Sequence, residues 1–333
     1  MLNTVMNRIA TIRRVADALT LATTQEEKLL ILEKYEENSL IKMLVTFAYD
    51  PMLQFDMKDW TPLNAGKMHG MGIPRFMHLF EEILNNKYTT SEAKFACNLA
   101  VTHMNDQEVP IFVAIMKNEC DWGLDADTIN TVWNNLIKGY PVQCASEYTE
   151  ENMKNISFPC VVQQMMDGVR LNIIVRGEVV EFRSVSGEFI HTVDVCADQF
   201  KILTQSGTTV FDGCAVVVDD NMNVVGTTMN DIMSADVADI RFYLWDSIRH
   251  DGFVQHEDTR IGYNWRYNGI EHMMFLAADK NADPCYLITL SEVVADLDGV
   301  TKFMESNNCD VIIKDFAGTW RDGITPFEVI IRK

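Results

Sequence analysis

The first 138 residues carry the apolar spacing of amphipathic helices. Apolar residues recur every three or four positions between Val5 and Leu19, which places them on one face of a helix. Residues 24–27 and 89–92 each pair a threonine with a glutamate three positions later, the form of a capping box at a helix start. Glycines and a proline mark a loop at 66–74. Further helices are expected near 38–49, 74–86, 107–118 and 126–137.

From about Pro141 the pattern changes to short runs of β-branched residues. Residues 171–175 and 179–183 flank Arg176-Gly177, which predicts a hairpin. Residues 215–218 and 223–225 predict another. Short buried strands are expected at 243–245, 286–288 and 311–313, and helices at 194–204, 258–278 and 291–307. The fold class is therefore multidomain, with an all-helical domain over 1–138 followed by an α+β domain over 139–333.

Charge argues against a general nucleic-acid binder. The 333 residues include 28 Lys and Arg and 48 Asp and Glu, a formal net charge of -20. An acidic surface repels phosphate backbones unless basic groups cluster locally. One alternative stays open, because several basic residues of the helical half could share a face. They are Arg8, Arg13, Arg14, Lys42, Lys58, Lys67 and Arg75.

The chain has the features of a cytoplasmic protein. No uninterrupted apolar stretch is long enough to predict a transmembrane helix, and the N-terminus lacks the apolar core of a signal peptide. The eight cysteines are scattered, without a Cys-x-x-Cys pair. This spacing favours reduced thiols over a disulfide framework or a zinc ribbon.

One segment carries a recognisable motif. Residues 165–170 are Met-Met-Asp-Gly-Val-Arg. They resemble the first motif of ATP-dependent DNA ligases, in which a lysine and one further residue precede Asp-Gly-x-Arg, and the likeness is greatest to ligases of large tailed bacteriophages. Asp-Gly alone is a common turn dipeptide, so the motif is weak by itself.

Further segments follow in the order of the ligase motifs and extend the resemblance over nearly the whole chain. In the family these are a Ser-Arg stretch, an Asp-Gly-Glu motif, an adenine-side aromatic strand, an arginine helix and a Glu-Gly-x-x-x-Lys motif. In the same order, the similar segments here are 182–189 (with Arg183-Ser184), 211–214, 242–246, 260–267, and 309–314 with Gly318 and Trp320. In the helical half, Glu119-Cys120 and Val132-Trp133 resemble the end of the phage DNA-binding domain. The resemblance implies a nucleotidyltransferase domain, the ATP-grasp-like adenylation domain of ligases.

The resemblance also implies that the reacting groups are missing. In the family the motif lysine attacks the α-phosphate of ATP and carries AMP, which requires a nitrogen lone pair. Met165 occupies that position, and a thioether is a flexible apolar group with no proton to shed. The metal-binding glutamates of the family align with Cys214 and Cys309, whereas Mg²⁺ prefers oxygen ligands. A new thiolate site of these cysteines with His191 is an alternative that their spacing disfavours.

Some positions of the nucleotide pocket are retained. By resemblance, the remnant of the pocket comprises Asp167, Gly168, Arg170, Phe189, Phe242, Lys314 and Lys333. Tyr243 is an alternative to Phe242 for stacking adenine. No OB-fold is expected after Lys333. We therefore expect no competent catalytic residue, no bound metal and no cofactor, with ATP or AMP and Mg²⁺ only if the pocket still works.

The sequence predicts a pseudoenzyme that acts by binding. A protein partner in replication, repair or a virion is favoured by the acidic charge, DNA is a second option, and no membrane is involved. The main alternative is a functional ATP-dependent DNA ligase or nucleotidyltransferase of replication and repair, with another nucleophile or a partner subunit. Noncovalent nucleotide sensing and shielding of nicked DNA also stay open.

Overall fold

The chain divides into two compact units, Met1–Tyr140 and Pro141–Lys333. The computed structural model describes residues 2–333 except 64, 66–71, 85–86, 206 and 282, and only the helical backbone of residues 2–9. The expected loop glycines Gly66 and Gly70, and Lys67 among the basic residues, lie outside the described residues.

Every regular element described in the first unit is a helix. The helices are α1 (Leu2–Leu21), α2 (Gln25–Glu33), α3 (Ser39–Tyr49), α4 (Gly72–Leu84), α5 (Thr90–Thr102), α6 (Glu108–Met116) and α7 (Ala126–Val132). Both expected capping boxes form, at Thr24 with Glu27 and at Thr89 with Glu92. Each satisfies two backbone N–H groups that a helix start leaves without partners.

The expectation of a helix over 126–137 was too long. Helix α7 ends at Val132, and Trp133 follows with non-helical backbone. The indole Nε1 of Trp133 donates to the carbonyl of Glu36 at 2.9 Å, and the amide of Asn130 exchanges two hydrogen bonds with the backbone of Ile137. These contacts to other segments replace continued helix.

Aromatic rings fill the core of the first unit. Phe80 stacks on Phe47 with centroids 4.8 Å apart and contacts Phe55 and Phe112 at 5.3 Å each. Phe80 and Phe112 are fully buried. Such ring pairs add to the stabilisation that burial of their area provides.

The second unit mixes strands and helices. Its strands are β1 (Gln143–Glu147), β2 (Cys160–Gln164), β3 (Val169–Arg176), β4 (Val179–Ser184), β5 (Thr208–Val218), β6 (Val224–Gly226), β7 (Ile240–Ile248), β8 (Glu257–Gly262), β9 (Tyr286–Ile288), β10 (Ser291–Val294), β11 (Val311–Lys314), β12 (Thr319–Arg321) and β13 (Gly323–Ile331). Its helices are α8 (Glu150–Met153), α9 (Ala197–Thr204), α10 (Met229–Ser234), α11 (His250–Gln255), α12 (Tyr263–Ala277) and α13 (Leu297–Asn307).

Two large sheets organise these elements. The first sheet has the order β1-β13-β11-β2-β10, and the second has the order β4-β3-β5-β7-β9 with β6 beside β5. Strands β8 and β12 form a separate pair. Most neighbours are antiparallel, but β1 with β13 and β7 with β9 are parallel. Both predicted hairpins form, β3 with β4 and β5 with β6.

Two predicted helices begin later than expected. Residues 257–262 form β8, which pairs with β12, and α12 begins only at Tyr263. Residues 291–294 form β10 against β2, and α13 begins at Leu297 after the Asp296 cap. The partner strands lie far away in sequence, and their pairing overrides the local helical pattern. Elsewhere, the expected helix at 194–204 is α9 preceded by a 3-10 turn.

One face of the second sheet forms the main core of this unit. Leu171, Phe211, Phe242 and Leu244 pack there with Phe200 from α9. The alternate residues of the same strands lie on the opposite face, where the motif positions are found. No helix among the described residues is long and apolar enough to cross a membrane.

Candidate functional site

Met165 lies at the end of β2, where the ligase motif has its lysine. Its side chain is half-buried, and its backbone N–H donates to the carbonyl of Asp310 at 2.9 Å. This bond continues the antiparallel pairing of β2 with β11, in which Gln164 opposes Val311. The sheet therefore holds position 165 beside the start of β11.

Gly168 is required by close packing. A Cβ at this position would lie 2.9 Å from Sγ of Cys214, 2.8 Å from Cγ1 of Val216 and 3.0 Å from the carbonyl oxygen of Ala215, so any other residue would require these atoms of β5 to shift. Asp167, just before it, is exposed. Packing against β5 thus explains the glycine at this position without any role in nucleotide binding.

Cys214 is a packing residue in this structure. Its side chain is 1% exposed and lies with Val216 and Val218, against Met166, Tyr243 and Trp245. Burial, with the carboxylates of Asp212 and Asp167 in addition, raises the pKa of the Cys214 thiol to about 12. The thiol is therefore neutral near pH 7 and is a poor metal ligand.

Cys309 packs in a different cluster. Its half-buried side chain lies against the core of the first sheet, near Val311 and Ile313. Burial, and then the neighbouring Asp310, raise the pKa of its thiol. The structure thus places the two cysteines in separate apolar clusters. His191 lies elsewhere, with Nδ1 2.8 Å from Asp194. Among the described residues, no three His, Cys, Asp or Glu side chains are grouped to hold a metal ion.

Arg170 is already paired with a carboxylate. Its Nε and Nη2 donate to the two oxygens of Asp212 at 3.1 and 2.7 Å, and Nη2 also donates to the carbonyl of Gln143 at 2.6 Å. The guanidinium lies 5.6 Å from the ring centre of Trp245. Burial disfavours the charged form, but Asp212 outweighs it and raises the pKa of Arg170. Such a bidentate pair is strong and geometrically fixed.

Lys314 is likewise paired with a carboxylate inside the protein. Its side chain is 3% exposed, and its ammonium lies 3.3 Å from Oε1 of Glu328 and 4.5 Å from the ring centre of Tyr263. The same Glu328 oxygen accepts from Nε2 of Gln143 at 2.8 Å. A buried charge requires such a partner, because its desolvation is costly. Gln143 therefore links the Lys314 pair to the Arg170 pair.

Tyr263 and Arg266 extend these contacts to the second sheet. The hydroxyl of Tyr263 donates to the carbonyl of Trp245 at 3.0 Å and accepts from Gln163 at 3.2 Å. Arg266 binds both oxygens of Asp246, at 2.8 and 2.9 Å. We call the whole set the buried polar network. Its members are Gln143, Gln163, Arg170, Asp212, Asp246, Tyr263, Arg266, Lys314 and Glu328.

The remaining predicted residues lie apart from this network. Phe242 is fully buried in the core face of the second sheet, opposite Tyr243 and Trp245 on β7. Phe189 is stacked between Arg183, whose guanidinium carbon lies 3.5 Å from the ring centre, and His191. Lys333 is exposed, and its backbone N–H donates to Asp310 at 2.8 Å. Of the predicted pocket residues, therefore, only Arg170 and Lys314 are linked by hydrogen bonds and ion pairs, and the link runs through Gln143.

Sequence reasoning did not identify several members of the network as site residues. Glu328, Gln143 and Asp246 were not among the predicted pocket residues. A local signal existed for Glu328, which is a charged residue inside the apolar run of β13. Its partner Lys314 became evident only from the pairing of β11 with β13, in which the two residues are opposite.

Comparison with known proteins gives the relationship. No family model matches the chain. The DNA ligases of Enterobacteria phages T4 and T6 are each 29% identical over 171 residues, which is 50% of this chain and 35% of theirs. The match thus spans about a third of these phage enzymes.

One solved structure shares the fold over nearly the whole chain. A chain titled Pmar-Lig_PreS3 matches 96% of this chain and 78% of its own length, with a TM-score of 0.53 and 17% identity. The ATP-dependent DNA ligase of bacteriophage T7, in complex with ATP, covers 58% of this chain and 68% of its own, at a TM-score of 0.46 and 16% identity. The resemblance seen in the motifs is confirmed: this chain is similar to the ATP-dependent DNA ligases, including those of phages T4 and T6.

Proposed function

We propose that this protein is a DNA ligase-like pseudoenzyme, which keeps the fold of the adenylation domain, cannot take AMP from ATP, and acts by binding a partner. The observation that carries the proposal is Met165 at the position of the attacking lysine. Covalent adenylation there needs a nucleophilic nitrogen, and a thioether is a poor nucleophile toward phosphorus.

Three other lysines of this unit already have partners: Lys314 and Lys154 each contact a glutamate, and Nζ of Lys333 donates to Asn308. Lys314 is the buried lysine of this unit, and its ammonium is held 3.3 Å from Glu328. An amine held in this ion pair would have to leave the carboxylate before its nitrogen could attack a phosphate. In sequence the lysine nearest to Met165 is Lys154, which follows α8 and contacts Glu151 at the surface.

The retained cations are already bound by carboxylates of the same chain. A triphosphate would have to displace Asp212 from Arg170 and Glu328 from Lys314. It would also meet the acidic residue Asp310, whose backbone carbonyl accepts from Met165 and whose carboxylate lies 3.7 Å from Arg332. A phosphate would need these cations as partners, and they are already paired with carboxylates of the chain. The affinity for nucleotides should therefore be low.

The metal-dependent part of the family reaction also lacks its ligands. Two neutral thiols occupy the aligned carboxylate positions, and they pack in separate clusters. Mg²⁺ is a hard ion that binds oxygen. Restoring a lysine at position 165 alone should therefore not restore catalysis.

Binding is the activity that remains. The net charge of -20 weakens the counterion-release contribution to DNA affinity, so a protein partner is favoured over DNA. Noncovalent nucleotide binding is the second candidate, because Tyr243 and Trp245 present half-buried rings near Arg170. A thermal shift with ATP or AMP would support that candidate, and an unchanged melting temperature would oppose it.

The proposal is tested by labelling. The full chain is incubated with Mg²⁺ and ATP radiolabelled at the α-phosphate, with a competent ATP-dependent DNA ligase as the positive control. We expect no hydroxylamine-labile label on this protein. A stoichiometric label would overturn the proposal, and its loss in Lys314→Gln would identify Lys314 as the replacement nucleophile.

A further inference from the structure

The first unit contains a concave surface that the ligase chemistry does not explain. A cavity of about 490 Å³ lies between α1 and the segment from α6 to Trp122. Residue pair Glu119-Cys120, part of the ligase-like pattern of the helical half, lies on its wall. We call this cavity the α1–α6 groove. Its lining is Arg13, Ala16, Asp17, Thr20, Gln107, Pro110, Ile111, Ala114, Glu119, Cys120, Asp121 and Trp122.

The floor of the groove is apolar. Ala16 and Trp122 are buried, and Ile111, Ala114 and Cys120 are half-buried. Burial raises the pKa of the Cys120 thiol to about 12, so this side chain is uncharged at neutral pH. An aliphatic side chain that covers this floor would therefore be stabilised by the burial of apolar surface.

The rim of the groove carries an excess of negative charge. Arg13 is the lining cation, and it is paired, with Nε 3.3 Å from Asp17 and Nη1 on the amide oxygen of Gln107. Glu119 and Asp121 are exposed on the rim. Of these two carboxylates, Asp121 accepts from the backbone of Gly123 at 3.2 Å. Their charges are not balanced by another lining cation.

Apolar floor and acidic rim together select one kind of occupant. A guanidinium on an aliphatic stem covers apolar surface with the stem and binds carboxylates with its planar head. A lysine ammonium would bind the rim less specifically, because it is a point charge without the planar set of donors that a guanidinium has. Phosphate or nucleic acid is disfavoured, since the described lining carries three carboxylates, Asp17, Glu119 and Asp121, and one cation, Arg13.

We propose that the α1–α6 groove docks an arginine side chain, with an adjacent apolar residue, from a protein partner. Arg13 shows the arrangement within the chain, because its guanidinium bridges a carboxylate and an amide oxygen at the same rim. This inference concerns the first unit and does not depend on whether the second unit is adenylated.

The probe is a short peptide with a matched neutral twin. N-acetyl-Leu-Arg-amide and N-acetyl-Leu-citrulline-amide are titrated into the full chain, and the backbone amide resonances of Ala16, Ile111 and Trp122 are followed by NMR. We expect the arginine peptide to shift these resonances in a saturable way and to bind more tightly than the isosteric citrulline peptide.

Variants separate the groove from general electrostatics. Glu119→Gln with Asp121→Asn should weaken binding of the arginine peptide about four- to twentyfold, since each exposed pair contributes a few-fold. Arg13→Gln should strengthen binding, because it removes the positive charge of the lining and leaves Asp17 without its cation. Glu33→Gln with Glu37→Gln, which changes the net charge equally at exposed positions at the end of α2 and in the turn after it, should have little effect.

Two results would overturn the inference. One is equal binding of the arginine and citrulline peptides; the other is unchanged affinity in the Glu119→Gln, Asp121→Asn variant with its spectrum otherwise preserved. A protein that is adenylated by ATP and still binds the arginine peptide in the groove would remove the proposed function and leave this inference intact.

Discussion

The two faces of the second sheet differ in what their side chains do. The core face carries Phe182, Phe211 and Phe242 under α9 and α12, as a close-packed interior requires. The opposite face carries the positions of the ligase motifs, where Met166 and Cys214 pack with Trp245 and Arg170 is closed by Asp212. The comparison indicates that the fold depends on the first face, while residues on the second can change without loss of the sheet.

The core face should be the most sensitive to truncation. Phe200 is fully buried, and its ring lies 5.3 Å from Phe242 and 5.5 Å from Tyr286. Phe200→Ala should lower the free energy of unfolding by about 3–5 kcal/mol, measured by urea denaturation. Phe275→Ala, at a position 78% exposed on α12, is the control and should change it by less than about 0.5 kcal/mol. Equal losses in both variants would contradict the account of this core.

Breaking the Lys314 pair should have the next largest effect. Lys314→Met leaves the Glu328 carboxylate buried without its cation, so the free energy of unfolding should fall by about 3 kcal/mol. Lys314→Met with Glu328→Gln should recover most of this loss, since neither of these two positions then carries a charge and the amide oxygen still accepts from Gln143. Lys302→Met, at an exposed position of α13, is the control. A double variant less stable than Lys314→Met would show that the pair itself is strongly stabilising.

An acid-sensitive contact lies at the edge of the second sheet. Burial alone would raise the pKa of Glu181, but the adjacent Arg183 and Arg176 outweigh it and lower the pKa below 4.5. Its contribution to stability is present above pH 4.5 and is lost as the pH falls through the lowered value. Glu181→Gln should therefore flatten the fall in stability below pH 4.5. Glu188→Gln, exposed nearby, should leave the pH profile unchanged, and a steep profile in both variants would refute this assignment.

The smallest effect on stability is expected at the motif position itself. Met165 is half-buried at the end of β2, where a lysine can extend its ammonium to solvent. Met165→Lys should change the free energy of unfolding by less than about 1 kcal/mol. On our proposal it should gain no adenylation, because Cys214 and Cys309 stand where the motif resemblance expects metal-binding glutamates. Labelling of this variant would show that the metal ligands of the family are dispensable here.

Elements with a local cause could be predicted from the sequence. The hairpin of β3 and β4 follows from alternating apolar residues around Arg176-Gly177, and the capping boxes at Thr24 and Thr89 follow from a spacing of three residues. Strands β8 and β10 could not be predicted, because each exists through pairing with a strand far away in the chain. The same holds for the site. The motif positions were visible, but the carboxylates that pair with Arg170 and Lys314 lie 42 residues away at Asp212 and on β13 at Glu328.

Intact-mass spectrometry of the wild-type protein, before and after incubation with Mg²⁺ and ATP, tests the central claim most directly. The account predicts the mass of the unmodified chain in both spectra, under conditions that convert a competent ligase to its AMP adduct. A species heavier by one AMP in either spectrum, assigned by peptide mapping to any residue of this chain, would contradict it.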